Sequence, residues 1–307
     1  MNADLAPAEP VGSTVGAPVR RLAARSWSGR NRYLTAALCI VVCAVMLAPI
    51  TLSVLASLKT TAEAAAVPPT YIPHELSLDS YQRLWDYQKG LPVYLGNSFG
   101  TALLTIALTL VLTVPAGYAL ARFPIPGKEF LFVFLLLALI VPYQALLTPM
   151  FLMFANLKLT NTMLGLAIVH CTIQLPFSLY VMRNSFEAIP RELEEAAVID
   201  GCNSFQVLVR ICLPSIVPSI VTVALFAFIT SWNEFLGALV MMTDGAKFTL
   251  PLILANARTA TSLGGTDWAM LQAGITISII PCVDLPAAAA LLRLRAADGR
   301  GEMRGGR

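Results

Sequence analysis

Six stretches of the sequence, at roughly 34–58, 94–119, 129–153, 163–182, 214–242 and 268–292, are apolar and long enough to cross a bilayer, which takes about 20 residues per helical crossing. In hydrocarbon a backbone must satisfy its own hydrogen bonds, so such runs are helices, and an all-α membrane protein is predicted. Pro115, Pro142, Pro149 and Pro176 fall inside the runs and predict kinks that neighbouring helices must accommodate. A chain that is 57% hydrophobic and 13% charged, with mean hydropathy +0.71, exceeds the apolar share of soluble domains.

Residues 1–32 are rich in Ala, Pro and Gly and carry Arg20, Arg21, Arg25, Arg30 and Arg32 without apolar periodicity, so a disordered basic tail is expected there. The run that follows is too long for a cleaved signal sequence. Lysine and arginine then set the orientation. With the N-terminus inside, the inner segments hold the tail arginines, then Arg122 and Lys128, then Arg183, Arg191 and Arg210, then Arg293, Arg295, Arg300, Arg304 and Arg307. The outer segments hold only Lys59, Arg83, Lys89, Lys158, Lys247 and Arg258. Both termini are therefore expected in the cytoplasm, with 293–307 a second tail.

One strongly polar segment, Ile189 to Pro214, lies between two apolar runs and reads as a structured loop at the membrane surface. Pro190 suits the first position of a helix, and Glu192, Glu194 and Glu195 sit near that helix's positive end. Leu193, Ala196 and Ala197 recur at helical spacing and form a narrow apolar stripe against which another protein's backbone can pack closely. Asp200-Gly201 supplies a residue able to take positive φ at the helix end. Asn203 with Gln206 has the form of a capping box opening a second helix, which Pro214 interrupts. The first outer segment, about Thr60 to Pro92, holds Pro68, Pro69, Tyr71, Pro73, Trp85 and Tyr87. It suits either an extracellular partner or an aromatic belt on the headgroups.

Several chemistries have nothing to stand on. No phosphate-binding glycine loop precedes a Lys-Ser/Thr pair, so this chain is not expected to hydrolyse ATP by that route. His74 and His170 are far apart and show no metalloprotease spacing, and each reads as an ordinary polar residue. The six cysteines have no metal-ligand spacing and read as small apolar fillers, so neither zinc nor a disulfide framework is expected. A net charge of +3 without a basic patch interleaved with aromatics gives no reason to expect nucleic acid. The spans are nearly free of ionisable groups, with Glu234 in Trp232-Asn233-Glu234-Phe235 as the exception. An acid there either lines a polar path or sits at the outer interface. Asn97, Trp232, Asn233 and Gln272 offer the amides and aromatic surface that a neutral, hydroxyl-rich solute wants.

The spacing Glu195-Ala196-Ala197, three residues, Gly201, nine residues, then Ile211-x-Leu213-Pro214 resembles the EAA loop of binding-protein-dependent ABC importer permeases. Asn97-Ser98, Trp232-Asn233-Glu234-Phe235, Thr249-Leu250-Pro251 and Trp268 with Ala273 and Pro281 resemble the carbohydrate branch of that family, the maltose-type subunit. The resemblance covers about Leu34 to Val283. It implies a type I ABC importer permease fold of six transmembrane helices over 33–292, in the bacterial inner membrane. Glu195, Ala196, Ala197, Asp200 and Gly201 would form the coupling helix that a cytoplasmic ATPase grips, and Asn97, Trp232, Asn233 and Glu234 would contribute to the translocation path. The chain would be no enzyme and would hold no cofactor, the ATP lying on a partner. The implied partners are an ATP-binding cassette dimer, a second homologous permease, an extracellular solute-binding protein and a sugar. A secondary carrier or channel is the alternative.

The ending departs from that branch, whose last helix closes on a pattern like Gln-Arg-Tyr-Phe-Val-x-Gly-Leu and then Gly-Ala-Val-Lys. Here Asp284-Leu285-Pro286 leads into four alanines and a Gly/Arg-rich tail. Read one nucleotide forward from the Asp284 codon, the permitted codons can spell Gln-Arg-Tyr-Tyr-Val-x-Gly-Leu-Leu-Thr-Gly-Ala-Val-Lys. A frameshift near Val283 would account for both endings, and a divergent tail would account for this one. Resequencing the 3′ end of the gene decides between them.

Overall fold

A computed structural model describes residues 29–257 and 266–302, with side chains over 33–257 and 266–287. The expected N-terminal tail up to residue 28, and the last five residues of the expected C-terminal one, lie outside the described residues. The elements are α1 (Gly29–Ser57), α2 (Thr61–Ala64), α3 (Asp79–Trp85), α4 (Leu91–Arg122), α5 (Lys128–Leu137), α6 (Tyr143–Asn156) and α7 (Met163–Glu187). They continue with α8 (Arg191–Ile199), α9 (Ser204–Val207), a π-turn (Leu208–Cys212), α10 (Leu213–Ser215), α11 (Val217–Asn233), α12 (Leu236–Met241), a short 3₁₀ turn (Gly245–Lys247), α13 (Leu250–Ala257) and α14 (Trp268–Glu302). Among the described residues no strand occurs. The chain divides into two units at Pro49. In the first, the described side chains from Tyr33 are all exposed on the opening turns of α1. The second, from Ile50 on, carries the core.

Among the described residues, four helices are long and apolar enough to cross a membrane, Tyr33–Ser57, Leu91–Arg122, Met163–Glu187 and Trp268–Ala287. A fifth span is counted if the pair Ser204–Ser215 and Val217–Asn233, bent by 78°, is one. The expected six spans are therefore not all continuous helices: the run 129–153 is divided into α5 and α6. The division falls at Pro142. Its ring disfavours helical backbone at Val141, and it has no N–H to donate. The residues before it close tighter i→i−3 turns instead, with Leu139 N on Leu136 O at 3.0 Å and Ile140 N on Leu137 O at 3.0 Å. Pro115, Pro149 and Pro176 stay inside α4, α6 and α7.

The core is centred on α4 and α7. Thr101, Thr105, Thr109, Thr113 and Gly117 recur every fourth residue on α4 and are all buried. Thr105 and Thr113 turn their hydroxyls back onto the carbonyls four residues earlier, at 2.9 and 2.7 Å, so that each is satisfied within its own helix. The stripe ends where the helices touch most closely. A methyl group on Gly117 would lie 2.7 Å from Met182 Cβ and 3.0 Å from Arg183 N. Small residues at such a crossing let two backbones approach in the absence of a hydrophobic drive.

Candidate functional site

The loop after α7 is built as its sequence dictates, with shifts of a residue or two. Pro190 is the N-cap of α8 (φ −57°, ψ 133°), and Arg191 is the first helical residue. Glu192 and Glu194 occupy the first turn, where the unpaired N–H groups favour negative charge. Gly201 ends the helix at φ +87°, donating to Val198 O at 3.0 Å, a conformation that glycine takes without strain. Asn203 and Gln206 exchange reciprocal hydrogen bonds of 2.9 Å and open α9. Beyond it the helix widens into the π-turn, because Pro214 has no N–H for the ordinary i−4 bond and Leu213 N reaches back five residues to Leu208 O. The sharp bend itself comes at Ile216, two residues past Pro214.

On α8 the stripe expected to face one way is split. Glu195, Ala196 and Asp200 are exposed, as are Leu193 at 51% and Ile199 at 85%. Ala197, only 6% exposed, turns the other way into a cluster with Tyr118, Ala121, Met182, Phe186, Val207 and Cys212. The short helix is thereby seated on the ends of α4 and α7. A salt bridge fixes it there: Arg122, the last residue of α4, donates through Nε to Glu194 Oε1 at 2.6 Å and through a terminal nitrogen to Ile189 O at 2.8 Å. Both side chains of that pair are largely shielded from solvent.

The four residues grouped as a path take different positions in the fold. Asn97 is buried, and its amide donates to the carbonyls of Ala246 and Phe248 at 2.9 and 3.0 Å, pinning the turn before α13 to α4. Trp232 is 1% exposed, stacks against Phe228, and donates from Nε1 to Ser278 O at 3.0 Å. Asn233 is exposed, with its amide on Ile229 O.

Glu234, 8% exposed, is the hub of a buried network. Tyr143 OH donates to Glu234 Oε1 at 2.8 Å, and the backbone N–H groups of Gly237 and Ala238 donate to the carboxylate at 2.8 and 3.2 Å. His170 Nε2 lies 3.1 Å from Glu234 Oε2, while its Nδ1 lies 2.8 Å from Ser231 Oγ. The carboxylate thus caps α12 while joining α6, α7 and α11. His170, an ordinary polar residue on sequence grounds, is wholly buried here. One signal was available: His170 and Glu234 are the isolated ionisable residues of two apolar runs, and each is the partner the other needs.

Comparison with known proteins adds the family. Residues 113–292 match the model for the binding-protein-dependent transport system inner membrane component. The chain is similar to the sulfoquinovosyl glycerol transport system permease protein SmoH of Agrobacterium fabrum, with 33% identity over 225 residues, 73% of this chain and 78% of the relative. It is also similar to the arabinooligosaccharides transport system permease protein AraQ of Halalkalibacterium halodurans, with 32% identity over 234 residues, 76% of this chain and 82% of the relative. Its fold matches a crystal structure of a bacterial ABC transporter involved in the import of the acidic polysaccharide alginate, with a TM-score of 0.74 at 22% identity, covering 86% of this chain and 98% of that one. A loop that seats one short helix on the ends of two long ones, on a chain that matches this model over more than half its length, makes the protein a member of the binding-protein-dependent transport system inner membrane component family.

Proposed function

We propose that this chain is the membrane permease subunit of an ATP-driven sugar importer. The observation that carries the reading is the seating of α8. Its outward face presents Glu195, Ala196 and Asp200, while Ala197 and the Arg122–Glu194 pair bind its inward face to the ends of α4 and α7. A push on the outer face is delivered to the two most closely packed spans, which is what a two-state change biased by a ligand elsewhere requires. The family's dependence on a binding protein and the carbohydrate names of the relatives support the sugar assignment.

A single such chain has neither an energy source nor a complete pathway. It works with two copies of an ATP-binding cassette subunit, a second homologous permease and an external solute-binding protein. It catalyses no reaction and holds no cofactor of its own. Both termini face the cytoplasm, in accord with the distribution of Lys and Arg. Gly201 sets the exit of the coupling helix. Asn233, exposed on α11, lines the path, and Asn97, Trp232 and Glu234 hold the wall behind it.

The second reading, a secondary carrier, is favoured by one observation, the buried His170–Glu234 pair, because proton-coupled carriers use such groups. Uptake of labelled oligosaccharide is to be measured in cells depleted of ATP with the membrane potential clamped. Loss of uptake supports the importer. Persistence of uptake assigns the chain to the carriers.

A further inference from the structure

The outer segment and the start of α14 enclose a small pocket that the coupling mechanism does not use. Its volume is about 190 Å³, and its lining includes Lys59, Glu63, Thr70, Trp268 and Gln272. That is room for about six waters, of the order of a single sugar ring and below the roughly 300 Å³ at which drug-sized sites begin.

The walls are chemically mixed. Trp268 and Gln272 stand four residues apart on α14 and so share one face of it. Trp268 is 45% exposed and lines the pocket. The Gln272 carbonyl accepts from Ser53 Oγ at 2.5 Å, and among the described residues its Nε2 amide has no acceptor. Lys59 is 4% exposed, and its ammonium is held by the carbonyl and the hydroxyl of Thr70, which leaves one of its three hydrogens. Glu63 accepts from Thr70 Oγ1 at 3.0 Å and from His74 N at 3.0 Å and keeps lone pairs to spare.

Charge decides the class of ligand. The ammonium of Lys59 opposes a cation over the Trp268 ring, and the carboxylate of Glu63 opposes an anion. A neutral molecule with hydroxyls that both donate and accept, and with an apolar face to lay on an indole, satisfies all four groups. We infer that this pocket is a sugar subsite of the permease itself, in which one ring of the incoming oligosaccharide rests on Trp268 and accepts from Gln272 Nε2. The inference rests on the sugar-import reading and adds to it a point of contact within this subunit.

The test is saturation-transfer NMR on the full chain in lipid nanodiscs, with maltose, cellobiose and lactose as probes, alongside uptake of the same labelled sugars by cells carrying the complete transporter. At least one disaccharide should receive saturation from the wild-type protein. The effect should fall about fivefold or more in Trp268→Ala and in Gln272→Ala, the loss expected of one aromatic or amide contact. It should persist in Trp268→Phe, which keeps a ring, and in Trp85→Ala, which removes an exposed tryptophan elsewhere on the outer segment. Helix content by circular dichroism verifies that each variant is folded. Undiminished transfer in Trp268→Ala and Gln272→Ala overturns the subsite, as does lost uptake with undiminished transfer, which would make this face a protein contact. No transfer to the wild type from any probe also overturns it, and the parallel uptake then shows whether sugar import falls with it.

Discussion

His170 on α7 and Glu234 at the end of α11 face each other across 3.1 Å, both buried, in a chain whose apolar runs hold few other ionisable groups. Burying a carboxylate is costly unless its oxygens are hydrogen-bonded, and a buried imidazole likewise needs a partner at each ring nitrogen. Here Tyr143, Ser231 and two backbone N–H groups supply those partners. Removing one member, as in Glu234→Ala or His170→Ala, should destabilise the protein by about 3–5 kcal/mol, whereas replacing both with apolar residues should cost less than the sum of the two. Denaturant unfolding in detergent, run as a double-mutant cycle, measures both quantities.

Gly237 is tied to the same network. A methyl group at this position would lie 2.8 Å from Glu234 Oε2, so the carboxylate could not keep its hold on the N–H groups that begin α12. Gly237→Ala should lower stability by about 1–3 kcal/mol, in the range of overpacking a closed site. Gly117→Ala should do the same for a different reason, since there the neighbour is the α7 backbone and cannot move aside. Thermal unfolding of each variant in the same detergent is the check.

The Arg122–Glu194 contact is held to transmit force as well as to stabilise. Glu194→Ala should leave the protein in the membrane yet reduce solute-stimulated ATP hydrolysis by the assembled transporter about tenfold, the effect of losing one to two kcal/mol of a partly shielded ion pair. The exchanged pair Arg122→Glu with Glu194→Arg should recover part of that activity. ATPase assays on reconstituted complexes distinguish this from simple loss of protein.

Glu63, on α2, gives a dependence on pH. Desolvation pushes its pKa up, but the His74 backbone N–H, the Thr70 hydroxyl and the charges of His74 and Lys59 outweigh that, and the net shift is downward. Its folded pKa being the lower, its stabilising contribution is present above the ordinary carboxylate range and is lost as pH falls through the folded value. Hydrogen exchange at His74 N should therefore show less protection in acid, relative to neighbouring amides, in the wild type and no such pH dependence in Glu63→Gln.

What the sequence made legible follows from how local each signal is. Helices come from continuous apolar runs, and Gly201 and the Asn203–Gln206 box come from contacts a few residues apart, so spacing alone located them. Pro142 and Pro149 read alike in sequence, yet only Pro142 divides its run; which proline a helix tolerates is decided by what packs around it. Ala196 and Ala197 are adjacent and chemically identical, and their opposite orientations depend on the placement of α4 and α7. The roles of His170, Arg122 and Glu194 depend on partners 64 and 72 residues away, which no periodicity reports.

The claim that α8 is a lever gripped by a nucleotide-driven partner is tested most directly at those two alanines. Ala196→Arg should leave the protein at its normal level in the membrane while abolishing both uptake and stimulated ATP hydrolysis, and a cysteine placed at Ala196 should crosslink to the ATP-binding subunit. Ala197→Arg, pointing into the chain's own core, should instead lower the amount of folded protein. Normal uptake in Ala196→Arg, with no crosslink from that position to the ATP-binding subunit, would contradict the account.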